Sequence, residues 1–173
     1  STDKTIEIAK KFGADYIISN KKNMGLAYSF KKGLEEALIL GADIVVNTDA
    51  DFQYNQKEIP KLIKPIMENK ADVVLTNRDV LSLNHMSLGK KYGNLIATYV
   101  TRLISGFNVK DAQSGFRAFS REAALRLNIL SDYTYVQETI IQAVDKKLKI
   151  DQIPCEFRKR EGRSRLISSL FSY

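Results

Sequence analysis

Two short apolar runs, Ile44-Val45-Val46 and Val73-Val74-Leu75, constrain the fold more than any other feature of the chain. Neither run alternates with polar residues, which is typical of strands that are covered on both faces of a parallel sheet. Residues 56–68, between them, have the apolar spacing of a helix. Strand, helix and strand in this order predict a parallel βαβ unit. We therefore expect an α/β fold with a mostly parallel sheet and flanking helices.

The other elements follow from the same patterns and predict a single domain over residues 1–173. Further strands are predicted at 15–19, 109–111, 115–120 and 150–157. Further helices are predicted at 1–13, 25–41, 87–105, 120–127 and 136–147. The helix at 87–105 would carry an apolar stripe of Leu88, Tyr92, Leu95, Ile96, Tyr99, Leu103 and Ile104.

Composition narrows the classes of function. There are 27 basic and 20 acidic residues, and the formal charge of +7 favours anionic partners. The single cysteine, Cys155, excludes an internal disulfide, and His85 is the only histidine, so a zinc site of the Cys/His kind is excluded. His85 is interpreted as a loop residue. No apolar run is long enough to span a membrane, and we expect no secretory signal.

The strand at 44–46 leads directly into an acidic segment. If the backbone stays extended there, Asp49, Asp51 and Gln53 point to the same side, beyond the carboxyl end of the strand. Two carboxylates and an amide oxygen suit a hard cation, Mg²⁺ or Mn²⁺, which takes few protein ligands and completes its shell with water and phosphate. A diphosphate substrate is therefore expected. The alternative is that Asp49 and Asp51 are ordinary turn formers.

Five ordered motifs carry a resemblance that covers essentially the whole chain. They are residues 23–27 (NMGLA), 47–53 (NTDADFQ), 111–119 (DAQSGFRAF), 137–139 (QET) and 160–165 (REGRSR). In this order they resemble family 2 glycosyltransferases, most closely the dolichyl-phosphate mannose synthase and polyprenyl-phosphate glycosyltransferase branch. The chain begins at Ser1-Thr2-Asp3, inside a motif that follows two strands in the family. The N-terminal βαβ portion is therefore expected to be missing.

The resemblance implies a GT-A-like fold and assigns roles around the donor. Asp49, Asp51 and Gln53 would hold Mg²⁺ or Mn²⁺, with Asp51 catalytic. The donor is a GDP- or UDP-linked sugar, and its nucleotide or diphosphate would contact Asp49, Gln53, Arg78, Asn23 and Gly25. Arg78 follows a strand, so the alternative is a surface arginine that caps the strand end.

The resemblance also assigns residues to catalysis and to the acceptor, a polyprenyl or dolichyl phosphate. Ser114 and Arg117 would contact phosphate, with Arg117 catalytic because a guanidinium matches a phosphate well; a structural ion pair is the alternative. Glu138 would be the catalytic base for a hydroxyl acceptor, or would orient a phosphate acceptor that needs no strong base. A helix-surface carboxylate is its alternative.

The C-terminal segment, residues 158–173, is basic and then apolar, which is typical of a membrane surface. Arg163 and Arg165 would bind the acceptor phosphate there. The alternative interpretation is that this segment is simply a truncated chain end.

The resulting expectation is inverting transfer of a mannose- or glucose-type sugar at the cytoplasmic face of a membrane. One rival is transfer to a sugar hydroxyl in polysaccharide synthesis, and another is a catalytically inactive domain that binds sugar nucleotides. A nucleic-acid-binding module is disfavoured, because the chain lacks interleaved aromatic and basic residues and the acidic pair would repel phosphate in the absence of a metal.

Overall fold

A computed structural model describes residues 4–160 of the chain, in which helices pack on a four-stranded sheet. The strands are β1 (Ile44–Asn47), β2 (Val73–Asn77), β3 (Arg117–Ser120) and β4 (Ile150–Pro154). The α-helices are α1 (Thr5–Lys11), α2 (Leu26–Ile39), α3 (Ile59–Met67), α4 (Leu88–Ser105), α5 (Arg121–Arg126) and α6 (Val136–Asp145). A short 3₁₀ helix, Gln56–Glu58, leads into α3. No helix within residues 4–160 is both long and apolar enough to cross a membrane.

The predicted α/β fold is confirmed, but the sheet is mixed. Its strand order is β1-β3-β2-β4, and β3 is antiparallel to both of its neighbours, while β2 and β4 pair in parallel. Strands β1, β2 and β4 therefore point in one direction, and β3 is inserted against them. The prediction of a mostly parallel sheet holds for strand direction and is wrong for strand pairing. Hydrophobicity did not reveal this, because a central strand is equally apolar in either direction.

Both faces of the sheet are covered, as the continuous apolar runs predict. Val73 and Leu75 face a core formed with α2, α5 and α6, whereas Val74 faces a second core formed with α3. All three side chains are at most 2% exposed. The period-2 alternation of a strand thus sends successive residues into two different cores, which explains why the strand has no polar face.

Two predicted strands are absent. Residues 15–19 run beside α2 without forming a ladder in the described chain, and Tyr16 is 69% exposed. In the segment 109–111, Val109 and Asp111 are buried and Lys110 is exposed, and side chains bond its backbone: Lys110 N donates to Gln152 Oε1, and Val109 O accepts from Arg102 Nε. Residues 115–116 are also outside β3, which begins at Arg117.

Helix α4 has its polar side inward and its apolar side outward. Thr98 and Thr101 are its buried residues. Six members of its predicted apolar stripe are 59–70% exposed: Leu88, Tyr92, Ile96, Tyr99, Leu103 and Ile104. Leu95, the seventh, is 37% exposed. Helical spacing therefore predicts the helix correctly, but the stripe is not the face that packs on the core.

Gly25 begins α2 in a conformation that other residues rarely adopt. Its φ is +86°, and a Cβ at this position would lie 3.0 Å from Asp132 O. We expect Gly25→Ala to lower the free energy of unfolding by about 1–3 kcal/mol, because strain and a backbone contact add together. Urea denaturation followed by circular dichroism measures the change.

The matched control is Gly33→Ala in the same helix. A Cβ at Gly33 meets nothing within 4 Å, so this substitution should raise stability by about 0.5–1 kcal/mol through helix propensity. Equal effects at the two positions would contradict the special role of Gly25.

Candidate active site

Four segments meet at one edge of the sheet. Residues 47, 77 and 154 are the carboxyl ends of β1, β2 and β4, and Arg117, which begins β3, pairs with Asn47 and Leu75. The segments after β1, β2 and β4 therefore lie beside the segment before β3. Ligands usually bind at the carboxyl ends of strands in open α/β sheets.

The side-chain amide of Asn47 connects the end of β1 to Gly115 and to Tyr135. Its Nδ2 donates to Gly115 O at 2.7 Å and to the Tyr135 hydroxyl at 2.6 Å. Tyr135 in turn stacks on Phe30 of α2, with ring centroids 3.7 Å apart. Burial raises the pKa of Tyr135 to about 12, so the phenol stays protonated at neutral pH. The network fixes the floor of the site.

Asp49 and Asp51 form a carboxylate pair above this floor. A Cβ at Gly115 would lie in ordinary van der Waals contact with Asp49 Oδ2, at 3.5 Å, so Gly115 lies directly beside that carboxylate. Burial, and then repulsion by Asp51, raise the pKa of Asp49. Arg160 partly offsets the negative charge, with its Nε 3.5 Å from Asp51 Oδ2. A bound cation would therefore reduce the repulsion between the two carboxylates.

The backbone turns within the acidic segment. Phe52 has a φ of +60°, so the backbone is not extended through Gln53. The condition under which Asp49, Asp51 and Gln53 would point to the same side is therefore not met. The backbone N–H of Gln53 donates to Asp51 Oδ1, and its Nε2 lies 3.4 Å from Arg158 O. Gln53 therefore orients Asp51 and pairs with the chain after β4. A left-handed non-glycine residue is a form of backbone strain that often occurs at functional sites.

Ser114 is part of a buried hydroxyl cluster and is not open to an acceptor. It is 0% exposed, and its Oγ lies 2.5 Å from Thr76 Oγ1 and 3.3 Å from the Tyr54 hydroxyl. The Tyr54 hydroxyl also accepts from the N–H of Gly115 at 3.1 Å. The predicted phosphate contact of Ser114 is contradicted by this burial; the cluster instead positions Gly115.

The guanidinium of Arg78 is fixed by hydrogen bonds to Asp111 and Asn94. Its Nε donates to Asp111 Oδ2 at 2.6 Å, and its Nη2 donates to Asp111 Oδ1 at 2.9 Å and to Asn94 Oδ1 at 2.8 Å. Its guanidinium carbon lies 5.0 Å from the centre of the Phe157 ring. Arg78 is only 8% exposed, so it is not the surface strand cap that was the alternative. Its charge lowers the pKa of Asp49, which places it within electrostatic reach of the acidic pair.

Arg117 is a structural residue in this geometry. It is 0% exposed, and its guanidinium donates to the carbonyls of Ser114, Ala112 and Val136 and to Thr139 Oγ1. Burial lowers its pKa to about 10, so it remains charged at neutral pH. The predicted contact with phosphate is therefore wrong for this structure. The ion-pair alternative is also not what is found, because the partners are carbonyls and a hydroxyl.

Glu138 lies on α6 and supports the loop before that helix. Its two carboxylate oxygens accept from Leu130 N at 2.8 Å and Ser131 N at 3.1 Å, and Gln142 Nε2 donates to Oε1 at 3.0 Å. Both oxygens are thus occupied by the protein, which disfavours a general base; orientation of the acceptor by Glu138 stays a prediction. The loop that it holds leads to Tyr135.

The other residues singled out from the sequence are Asn23, Gly25, His85, Arg163 and Arg165. Asn23 Oδ1 accepts from the N–H of Gly25 at 3.0 Å, and Gly25 abuts the Asp132 carbonyl. Arg163 and Arg165, with the rest of the segment after residue 160, lie outside the described residues. His85 is a loop residue, as predicted, and its ring stacks on Phe157 with centroids 6.0 Å apart.

The residues present fit a divalent ion that is shared with a substrate. In the described chain there is no group of three or more His, Cys, Asp or Glu side chains that could hold a metal. Asp49 and Asp51 would supply one or two carboxylate ligands, which matches the way Mg²⁺ is held together with phosphates and water. The Cys155 thiol is unsuited to this role, because burial raises its pKa to about 11.

Several residues of the site could not be predicted from the sequence. Tyr54, Thr76 and Tyr135 carry no signal that separates them from core residues, and their hydroxyls act through partners distant in sequence. Asn47 and Asp111 could have been found from the sequence, because each belongs to one of the resembling motifs and Asn47 also follows the apolar run 44–46.

The fold and the acidic site together define an α/β domain suited to binding a phosphorylated ligand with a metal. The family model for Glycosyl transferase family 2 matches residues 1–127. The chain therefore belongs to this family, as its motifs predict.

Two relatives of known description show the branch. The UDP-N-acetylglucosamine--dolichyl-phosphate N-acetylglucosaminyltransferase of Methanococcus voltae is 37% identical over 145 residues, which cover 79% of this chain and 57% of the relative. The dolichyl-phosphate hexose transferase of Haloferax volcanii is 28% identical over 168 residues, covering 96% of this chain and 70% of the relative. The chain thus spans little more than half of the first of these proteins.

A solved structure shows the same fold. It is glucosyl-3-phosphoglycerate synthase from Mycobacterium tuberculosis in complex with Mn²⁺ and UDP-glucose, with a TM-score of 0.70 and 20% identity. The likeness covers 95% of this chain and 58% of that one. The predicted GT-A-like architecture is confirmed.

The buried guanidinium of Arg117 gives a prediction about stability. Arg117→Ala removes a donor from four buried acceptors, of which Val136 O still accepts from Thr139 Oγ1. We expect the free energy of unfolding to fall by about 3 kcal/mol or more, or the protein to fail to fold. Urea denaturation measures it. Thr139→Val removes a single partner and should cost about 1–2 kcal/mol.

Arg126→Ala is the control for Arg117, since its ion pair with Glu122 and its hydrogen bond to Lys146 O are at the surface; the change should stay within about 1 kcal/mol. A stable Arg117→Ala protein would support the phosphate-binding role instead.

The acidic pair gives a prediction about metal binding. Mn²⁺ at about 100 times its dissociation constant should contribute about 2.7 kcal/mol to stability and raise the melting temperature by several degrees. The Asp49→Asn/Asp51→Asn variant should show no such rise in differential scanning fluorimetry. Asp145→Asn, an exposed carboxylate at the end of α6, should behave as wild type. An unchanged Mn²⁺ effect in the double variant would exclude this site.

Proposed function

We propose that the chain is the catalytic part of an inverting glycosyltransferase that moves a sugar from a nucleotide diphosphate sugar to a polyprenyl or dolichyl phosphate. The observation that carries the proposal is the carboxylate pair at the sheet edge, opposed by Arg78 and Arg160. Mixed charge of this kind suits a diphosphate that binds together with a cation. The names of the relatives support a lipid phosphate acceptor.

The donor would bind with its diphosphate beside Asp49 and Asp51, which would hold Mg²⁺ or Mn²⁺. When bound, the metal supplies Lewis-acid neutralisation of the departing phosphate. Arg160 is close enough to Asp51 to exchange its carboxylate partner for a donor phosphate. The donor would be a GDP- or UDP-linked sugar of the mannose or glucose type.

Transfer then requires one bond to form and one to break. An ionised oxygen of the acceptor phosphate attacks the anomeric carbon from the face opposite the leaving group, and the bond from that carbon to the diphosphate oxygen breaks. The nucleoside diphosphate leaves with the electron pair. Because the attacking oxygen is already charged, no strong base is needed, which agrees with the occupied oxygens of Glu138.

Arg78 would stabilise charge on the phosphates electrostatically, since its guanidinium is within electrostatic reach of Asp49. Its clamp by Asp111 and Asn94 keeps the guanidinium in one orientation, so binding costs little side-chain entropy. Arg117 acts indirectly in this proposal, by holding the segment 112–115 against α6. A lipid-linked acceptor places the reaction at a membrane surface, and we propose its cytoplasmic face.

The test is transfer by the full-length protein, with radiolabelled GDP- and UDP-sugars offered to polyprenyl phosphate or to an oligosaccharide. We expect an organic-soluble product and a loss of about a thousandfold or more in Asp51→Asn, equivalent to about 4 kcal/mol. The exposed control Asp145→Asn should keep full activity. Product found only on the oligosaccharide would establish the hydroxyl acceptor, and binding without turnover would establish an inactive domain.

A further inference from the structure

The two carboxylate oxygens of Asp51 have different partners. Oδ1 accepts from the backbone N–H of Gln53 at 3.1 Å, which fixes the carboxylate within its own turn. Oδ2 instead lies 3.5 Å from Arg160 Nε. Burial and then Asp51 raise the pKa of Asp49, and Arg160 acts against both effects. One guanidinium thus acts on both members of the acidic pair and meets Asp51 at Oδ2.

Backbone contacts after β4 carry Arg160 to this position. Arg158 N donates to Gln53 O at 2.8 Å. Tyr54 and Phe157 form an antiparallel bridge between the same two segments, and their ring centroids are 5.1 Å apart. The backbone as far as residue 158 is therefore paired with the segment after β1. The long side chain of Arg160 can turn away from the carboxylate without breaking this pairing.

The ion pair of Arg160 differs in kind from that of Arg78. Arg78 is 8% exposed, and its Nε lies 2.6 Å from Asp111 Oδ2. The Arg160 side chain is 35% exposed, and its distance of 3.5 Å to Asp51 exceeds the usual length of a hydrogen bond. Partly exposed ion pairs contribute little to stability. The Arg160 pair therefore opens at low cost, whereas opening the Arg78 pair would leave a buried charge without its partner.

A divalent ion and Arg160 require the same oxygen of Asp51. Mg²⁺ binds oxygen ligands at about 2.0–2.1 Å. A guanidinium has only hydrogen-bond donors, so it cannot join the ligands of an ion. Two cations beside one oxygen also repel each other. Occupation of Oδ2 by an ion and by Arg160 is therefore mutually exclusive.

We propose that Arg160 is an internal cation that competes with the divalent ion for Asp51. The inference rests on the proposed metal role of Asp51 and deepens the proposed function. The arginine offsets the repulsion between the two carboxylates, and the ion binds as the arginine turns away. Metal affinity is then set partly by a residue that is not a ligand of the metal.

The first test is calorimetric titration of the full-length protein with Mn²⁺ alone. Arg160→Gln should bind Mn²⁺ about fivefold more tightly than wild type, because the competing cation is removed while the carboxylates stay. The matched control is Arg158→Gln, which removes the same charge from the same segment. The Arg158 side chain is paired with Glu156 at 2.8 Å, so this variant should stay within about twofold of wild type.

The second test follows the arginine itself in the unmutated protein. Phenylglyoxal modifies guanidinium groups, and peptide mass spectrometry gives the rate at each arginine. Saturating Mn²⁺ should raise the rate at Arg160 by about threefold, because its ion pair opens. The rates at Arg158 and at the buried Arg78 should not change.

Three outcomes would overturn the proposal. An unchanged Mn²⁺ affinity in Arg160→Gln would show that the arginine does not compete. An equal gain in Arg158→Gln would show a general effect of charge. Labelling of Arg160 that does not respond to Mn²⁺ would show that the side chain stays where it is.

A further arm of the labelling experiment separates this proposal from the proposed function. With Mn²⁺ present, UDP or GDP should slow the labelling of Arg160 again if a donor phosphate receives the guanidinium. If neither nucleotide slows it, the proposed donor contact is wrong, while competition for Asp51 stands on the results with Mn²⁺ alone.

Discussion

The buried guanidinium of Arg117 is the interaction on which the geometry of the site depends. One side chain binds backbone carbonyls before β3 and at the start of α6, together with a threonine hydroxyl. A charge without solvent is tolerable only when its donors are satisfied. Since the segment that it holds includes the approach to Gly115, the space beside Asp49 is set by a residue that does not face the ligand.

The charges of Asp49 and Asp51, in contrast to that of Arg117, are not fully compensated within the protein. Asp49 is partly buried beside Asp51, and both its burial and this neighbour act against ionisation. Arg160 and Arg78 relieve the repulsion only in part. A local cost of this kind is common at functional sites, and under the proposed function the binding of a cation and a phosphate would remove it.

The sequence predicted what depends on local pattern and on ordered motifs. The runs at 44–46 and 73–75 predicted two strands, of which β2 is central and β1 lies at the edge of the described sheet, and the spacing in 88–105 predicted α4. The antiparallel insertion of β3 could not be predicted, because the direction of a buried strand leaves no trace in its hydrophobicity. The exposure of the α4 stripe was equally hidden, since helical periodicity shows that one face is apolar but not which face meets the core. Arg117 and Ser114 were assigned to phosphate because a motif shows that residues act together, and their burial depends on contacts distant in sequence.

Asn47 has a consequence for the chemical integrity of the protein. Both hydrogens of one amide nitrogen are engaged, one with a carbonyl and one with a phenol. Deamidation would exchange this nitrogen for an oxygen that donates nothing, and would set a carboxylate against the Gly115 carbonyl while adding a third negative group beside Asp49 and Asp51. A mass change of a single dalton at this position would therefore convert the neutral floor of the pocket into an anionic one.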